Sequence, residues 1–222
     1  VIKSENDFDL NTWNLFAEQG WLSMPFSEDS GGFGMGPIEL SILFEEFGKA
    51  LVIEPYLSTV VLSGTLIDNS SYEHKKDIIE RICSGSLHIS LAYAESKNSY
   101  NYNLPSTSLS SDLLLNGTKN LVLNGGNANK LVVSCIHNEE LALVIVNADK
   151  DGISMNTFPT VDGQSCAEIT FENVSINSED VIGTGDNAIT LLNNSISLAT
   201  LCVSAEAVGC MSSCYLKTVA YT

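Results

Sequence analysis

The segment from Leu113 to Gly126 reads Leu-Leu-Leu-Asn-Gly-Thr-Lys-Asn-Leu-Val-Leu-Asn-Gly-Gly, and it constrains the fold more than any other. Asn116-Gly117 separates an apolar run, Leu113–Leu115, from the alternating run Lys119–Leu123. Asn and Gly both tolerate positive φ, so this pair predicts a two-residue β-hairpin. A second turn is expected at Asn124-Gly125-Gly126. Upstream, the short apolar run His88–Tyr93 reads as a buried strand, followed by a polar loop rich in Asn, Ser and Tyr. Before this region the chain has helical periodicity. After it the pattern is β until about Ile182, then helical again. The fold class is α+β, with expected boundaries at 1–87 (helical), 88–185 (a β section, a sandwich or a barrel) and 186–222 (helical).

Composition narrows the function. The 222 residues are 44% apolar and 17% charged, which is a globular balance. The formal net charge of −17 argues against nucleic-acid binding, which needs clustered Lys and Arg. It also argues against docking on an anionic membrane. Six cysteines (83, 135, 166, 202, 210 and 214) form no CxxC pair, and Cys210 and Cys214 have no His beside them, so no metal site is expected. Their apolar surroundings suit reduced, buried thiols, and the expected compartment is the cytoplasm. The longest uncharged run, 187–205, carries many Asn, Ser and Thr and reads as too polar to span a membrane.

Asp9 is placed to cap a helix through Trp13, Phe16 and Ala17 that stops at Gly20. Residues 27–36 are Gly-rich and superficially resemble a phosphate cradle. No Lys-Ser/Thr follows, and Glu28 and Asp29 would repel phosphate, so a tight inter-helix turn is favoured. Pro37 opens the next helix, with Leu40, Leu43, Phe44 and Phe47 as its apolar stripe. A further helix is expected after Pro55, and Ser71 is expected to cap a charged helix from Tyr72 to Cys83. Strands are expected within 131–135, 141–146, 166–171 and 174–176, with turns at Asp151-Gly152 and Asp162-Gly163. From Asp186 a long helix rich in small residues runs on, with Gly209 its only glycine.

Several segments together resemble the acyl-CoA dehydrogenase family. They are Trp13–Trp21 with Pro25 and Glu28–Gly34; Glu39, Glu45–Ala50 and Pro55; Ile82–Gly85 leading into Ala92-Tyr93-Ala94-Glu95; Leu115–Lys119 with Asn124-Gly125-Gly126 and Ala128; and Val181-Ile182-Gly183. The likeness is closest to the small subunits of heteromeric acyl-CoA dehydrogenases such as pimeloyl-CoA dehydrogenase. It implies a helical N-domain (1–87), a central β-barrel (88–185) and a C-terminal helical bundle that is incomplete here, 186–222 being its first helix. It implies FAD against the barrel, at Leu91, Ala92, Tyr93, Ala94, Leu121, Val122 and Leu123. It further implies an FAD-dependent oxidoreductase of fatty acid β-oxidation that dehydrogenates an acyl-CoA thioester, passes electrons to an acceptor, and works as a homo- or hetero-oligomer such as a tetramer.

The chain departs from that pattern in places. Ala94 and Leu123 stand where hydroxyl residues are usual, and residues 96–107, with two tyrosines, replace a Gly-rich acidic loop. Ala199 stands at one family position for the catalytic Glu, and Thr200 where Arg is usual. The catalytic base is therefore unassigned, and the 222 residues alone are expected to be inactive. Glu206, two helical turns beyond Ala199, is a weak alternative base. A non-catalytic partner subunit and a plain α+β binding domain are the competing readings.

Overall fold

The computed structural model describes residues 7–96 and 101–221. Asp9 caps α1 (Leu10–Glu18) by accepting from the Asn11 amide at 2.9 Å. Trp13 and Phe16 face inward, and the Trp13 indole donates to the Gly85 carbonyl at 3.0 Å. The Gly-rich segment is a short 3₁₀ turn whose interior is filled by the chain's own acid. Asp68 accepts from the Ser27 amide at 2.8 Å, the Ser27 hydroxyl at 3.0 Å and the Ser30 hydroxyl at 2.5 Å. Asp68 thus occupies the Ser27 and Ser30 donors that a phosphate would use. α2 (Pro37–Ala50) follows, with Glu39 reaching back to the Gly36 amide at 2.9 Å.

The expected helix after Pro55 begins as π-helical turns, Leu57–Gly64, and continues as α3 (Thr65–Asp68). Hydroxyls occupy carbonyls in this stretch. Ser63 donates to Ser58 at 2.9 Å, and Ser195 of the last helix donates to Leu62 at 2.6 Å. α4 spans Lys75–Cys83 and not Tyr72–Cys83. Ser71 caps nothing: the Ser70 hydroxyl accepts from the Tyr72 amide at 3.2 Å, and Lys75 is drawn to the carbonyls of Asp68 and Ser70.

Among the described residues eight strands form one sheet: β1 (Ile89–Ala92), β2 (Ser108–Leu109), β3 (Leu114–Leu123), β4 (Lys130–His137), β5 (Glu140–Asn147), β6 (Ile153–Pro159), β7 (Ser165–Ser175) and β8 (Val181–Thr184). Their order is β6-β7-β3-β2-β4-β5-β8, with β1 parallel to β4. The expected hairpin at Asn116-Gly117 is absent. Those residues lie inside β3, and the tight turn falls at residues 110–113, where the Leu113 amide donates to Ser110. Gly117 serves a close approach instead. It has φ 145° at a bulge, and a Cβ there would lie 2.7 Å from Thr107 Cα. β6 was not foreseen, and residues 174–175 prolong β7 rather than forming a separate strand.

Strand alternation divides the burial into two cores. Leu131, Val133 and Cys135 of β4 join Ala142, Val144 and Val146 of β5 inside the sheet, together with Ala167, Ile169 and Phe171 of β7. The intervening Val132, Leu143 and Ile145 face the helices, as do Ile89 and Leu91 of β1. Strands buried on both faces read as continuous apolar runs, as these do. α5 (Gly185–Tyr221) is 37 residues long. It is long and apolar enough to cross a membrane by length and composition, contrary to the expectation for this region. One side of it, with Leu192, Ser195, Ala199 and Cys202, is buried, and a third of its most apolar stretch is covered in this way.

Candidate functional site

The ends of β1 and β3 are tied together. The Asn120 amide donates to the Ala94 carbonyl at 2.9 Å, and the Asn120 side chain accepts from the Ser96 amide at 3.0 Å. Both stretches expected to line a flavin therefore meet at one place. Alternation then sorts their side chains. Leu91 is buried in the helix-facing core, and Tyr93 and Leu123 pack against it partly buried. Ala92 and Val122 point into the sheet's own core and offer a ligand only backbone. Ala94 is half-buried.

Leu121 is different in kind. It lies at a bulge between Lys119 and Val122, with φ 51° and its side chain 61% exposed. A non-Gly residue in this conformation costs about 1–3 kcal/mol.

Next to Ala94 stands a buried ion pair that the sequence reading did not draw. Glu95 is 6% exposed and Lys119 0%, and their charged atoms lie 2.7 Å apart. Glu95 also accepts from the Ser106 amide at 2.6 Å, and from the Thr107 amide at 3.0 Å and hydroxyl at 2.7 Å. Lys119 donates in addition to the Ser134 hydroxyl at 3.1 Å. Burial opposes the charge on Glu95, but Lys119 and the loop donors prevail and hold it at about 2. The signal was present in sequence, since Glu95 and Lys119 both stand in the quoted motifs. Their pairing across strands was not. Tyr102, edge-on to Tyr93 with ring centroids 5.9 Å apart, was likewise unassigned.

Carboxylates suited to proton abstraction are scarce among the described residues. Asp68 and Glu95 are buried and hydrogen-bonded by their own surroundings. Ala199 is buried and Thr200 is exposed, its hydroxyl donating to Ile196. Glu206 is half-buried, and desolvation together with the nearby Asp162 raises its pKa. Asp162 also bears on Cys166, whose strand position pairs with Leu123. The Glu206 backbone packs against Gly48 of α2. A separate cleft of about 550 Å³ at the start of α5 is lined by Glu139, Glu140 and Asp186, charges that would repel a polyphosphate.

Residues 2–86 match the family described as acyl-CoA dehydrogenase, N-terminal domain. The mitochondrial isovaleryl-CoA dehydrogenase of Solanum tuberosum is 26% identical over 93% of this chain and 53% of its own length. Among solved structures, the ChsE4-ChsE5 complex from Mycobacterium tuberculosis superposes with TM-score 0.86 at 23% identity, covering 99% of this chain and 59% of that one. An FAD complex of PigA gives TM-score 0.88 at 17% identity, over 97% and 61% respectively. The chain spans about half the length of the curated relatives it matches.

Proposed function

We propose that this chain is the flavin-holding part of an FAD-dependent acyl-CoA dehydrogenase that works in an oligomer. The observation that carries the reading is the face made by Leu91, Tyr93 and Leu123 with the strained, exposed Leu121 at its edge. These residues fit a flat, largely apolar ring system, with Ala92, Ala94 and Val122 offering backbone groups. FAD, when bound, supplies the electron sink for removal of hydride from the acyl β-carbon. The chain's own residues exclude water from one side of that face and fix the two strand ends that frame it. The PigA structure with FAD supports the cofactor, and the isovaleryl-CoA relative supports a CoA thioester as substrate. The two-component ChsE4-ChsE5 complex supports a heteromer, as do Met211, Tyr215 and Leu216 exposed along α5. Six free cysteines support a reducing, cytoplasmic setting.

A second reading is a non-catalytic partner subunit. It is favoured by the buried Ala199 and by the engagement of Asp68 and Glu95 elsewhere. Anaerobic addition of an acyl-CoA thioester to the protein, purified with whatever chains accompany it, separates the two. A catalytic site bleaches the flavin's visible absorbance. Flavin that stays oxidised while its spectrum shifts on binding supports the partner reading instead. Positioned general bases contribute about 10²–10⁴-fold, so Glu206→Gln should slow bleaching by that factor if Glu206 is the base, with flavin content intact. Unchanged bleaching leaves Glu206 a packing residue.

A further inference from the structure

We propose that the buried Glu95–Lys119 pair is the clasp of a split strand, and that Lys119 is thereby a positioning residue for the strand ends that frame the flavin face. The clasp rests on the sheet geometry alone, and its effect on flavin rests on the reading above.

β1 and β2 are two halves of one strand. Both run parallel to β4, and both lie between β4 and β3. β1 reaches β3 through the bond from the Asn120 amide to the Ala94 carbonyl, and β2 through the pairing of Leu109 with Leu115. Ala92 pairs with Val133, so by count Glu95 would stand opposite Ile136. Ser108 stands there instead, and the Ile136 amide donates to the Thr107 carbonyl at 2.8 Å. The chain thus leaves the strand after Ala94 and re-enters it at Ser108, at the next register position. Glu95, the first residue out, turns its carboxylate back to the re-entry and accepts from the Ser106 amide and from the amide and hydroxyl of Thr107. Lys119 comes from β3 and also donates to Ser134 of β4, so the clasp ties both flanking strands to the break. Gly117 of β3 admits Thr107 as well, since a Cβ there would lie 2.5 Å from the Thr107 hydroxyl oxygen. Charge pairing and close backbone approach hold the same residue. Lys119 also opens the bulge that ends at Val122 and carries the exposed Leu121, so its anchorage on Glu95 fixes that bulge at its start. A buried carboxylate that loses its cation is left uncompensated, whereas replacing both charges by neutral groups of similar size costs little.

The test is hydrogen–deuterium exchange of the protein as purified, read on the stretch 101–109 and on the β5 stretch 140–147. Lys119→Met should speed exchange across 101–109 at least about tenfold and leave 140–147 within about threefold of the wild type. Adding Glu95→Gln to it should bring 101–109 back to within about threefold of the wild type, because no charge is then left unpaired. Gly117→Ala, which keeps both charges, should speed the same stretch by pushing Thr107 off β3. Flavin should be lost from Lys119→Met and regained in the double variant. Unchanged exchange across 101–109 in either single variant, a double variant that stays fast, or an equal rise in 140–147 overturns the clasp; a Lys119→Met chain that does not fold counts as that last result. Raised exchange with full flavin content overturns the positioning role. A wild type that holds no flavin overturns the flavin reading, and the exchange rates then decide the clasp alone.

Discussion

His88 lies between two aromatic rings, with its centroid 5.2 Å from that of Phe8 and 5.1 Å from that of Trp13. Its Nδ1 is buried without a hydrogen-bond partner, and burial lowers its pKa from 6.5 to about 4. Between these values the unfolded chain binds the proton and the folded chain does not. Stability is therefore full above about pH 6.5 and falls as the pH drops toward 4, where the loss levels off. Allowing for the ring's partial exposure, the loss is about 1–2 kcal/mol. Other carboxylates titrate in the same window, so the informative quantity is a difference. Urea unfolding at pH 7 and pH 4.5 should show a smaller loss for His88→Phe than for the wild type; equal losses would refute the cage. The sequence showed a His opening an apolar run, but Phe8 and Trp13 come from distant positions. The same gap hid Glu95 with Lys119 and Tyr93 with Tyr102. Residue types were legible, and the contacts between them depended on packing that no local pattern encodes.

At the scale of elements, the crossing of α2 and α5 is the tightest feature. A Cβ on Gly209 would lie 2.0 Å from the Glu45 carbonyl oxygen, and one on Gly48 2.0 Å from that of Glu206. Two helix backbones touch where neither residue has a side chain. Gly209→Leu must push the helices apart, and overpacking of this kind costs about 1–3 kcal/mol. Chemical denaturation should show a lowered midpoint at unchanged slope. A midpoint equal to the wild type's would contradict the close approach. The one glycine in the interior of the long helix, Gly209, was a readable sign, because glycine in a helix interior costs about 1 kcal/mol and needs a reason. Asn116-Gly117 misled for a related cause. Its glycine also serves a close approach, against Thr107, and the turn went instead to residues 110–113, where only Ser, Ser, Asp and Leu mark it. β6 escaped notice because Ile153–Pro159 is partly exposed throughout and carries Asn, Ser, Thr and Pro.

On the scale of the whole molecule, the order helices, sheet, long helix was readable because periodicity changes at each boundary. The division of β4 and β5 between two cores was not, because strands buried on both faces lose their alternation. That division gives the sheet a helix-facing apolar side, and the proposed flavin face lies on it. The most direct measurement of this account is the visible absorbance of the purified protein, compared with that of an Ala94→Arg variant whose fold is verified by circular dichroism. Ala94 sits half-buried where β1 meets β3, so a guanidinium there would disturb the strand ends that frame the face. The account predicts a yellow wild type with a flavin spectrum and a folded, colourless variant. A colourless wild type, or a variant with normal flavin content, would contradict it.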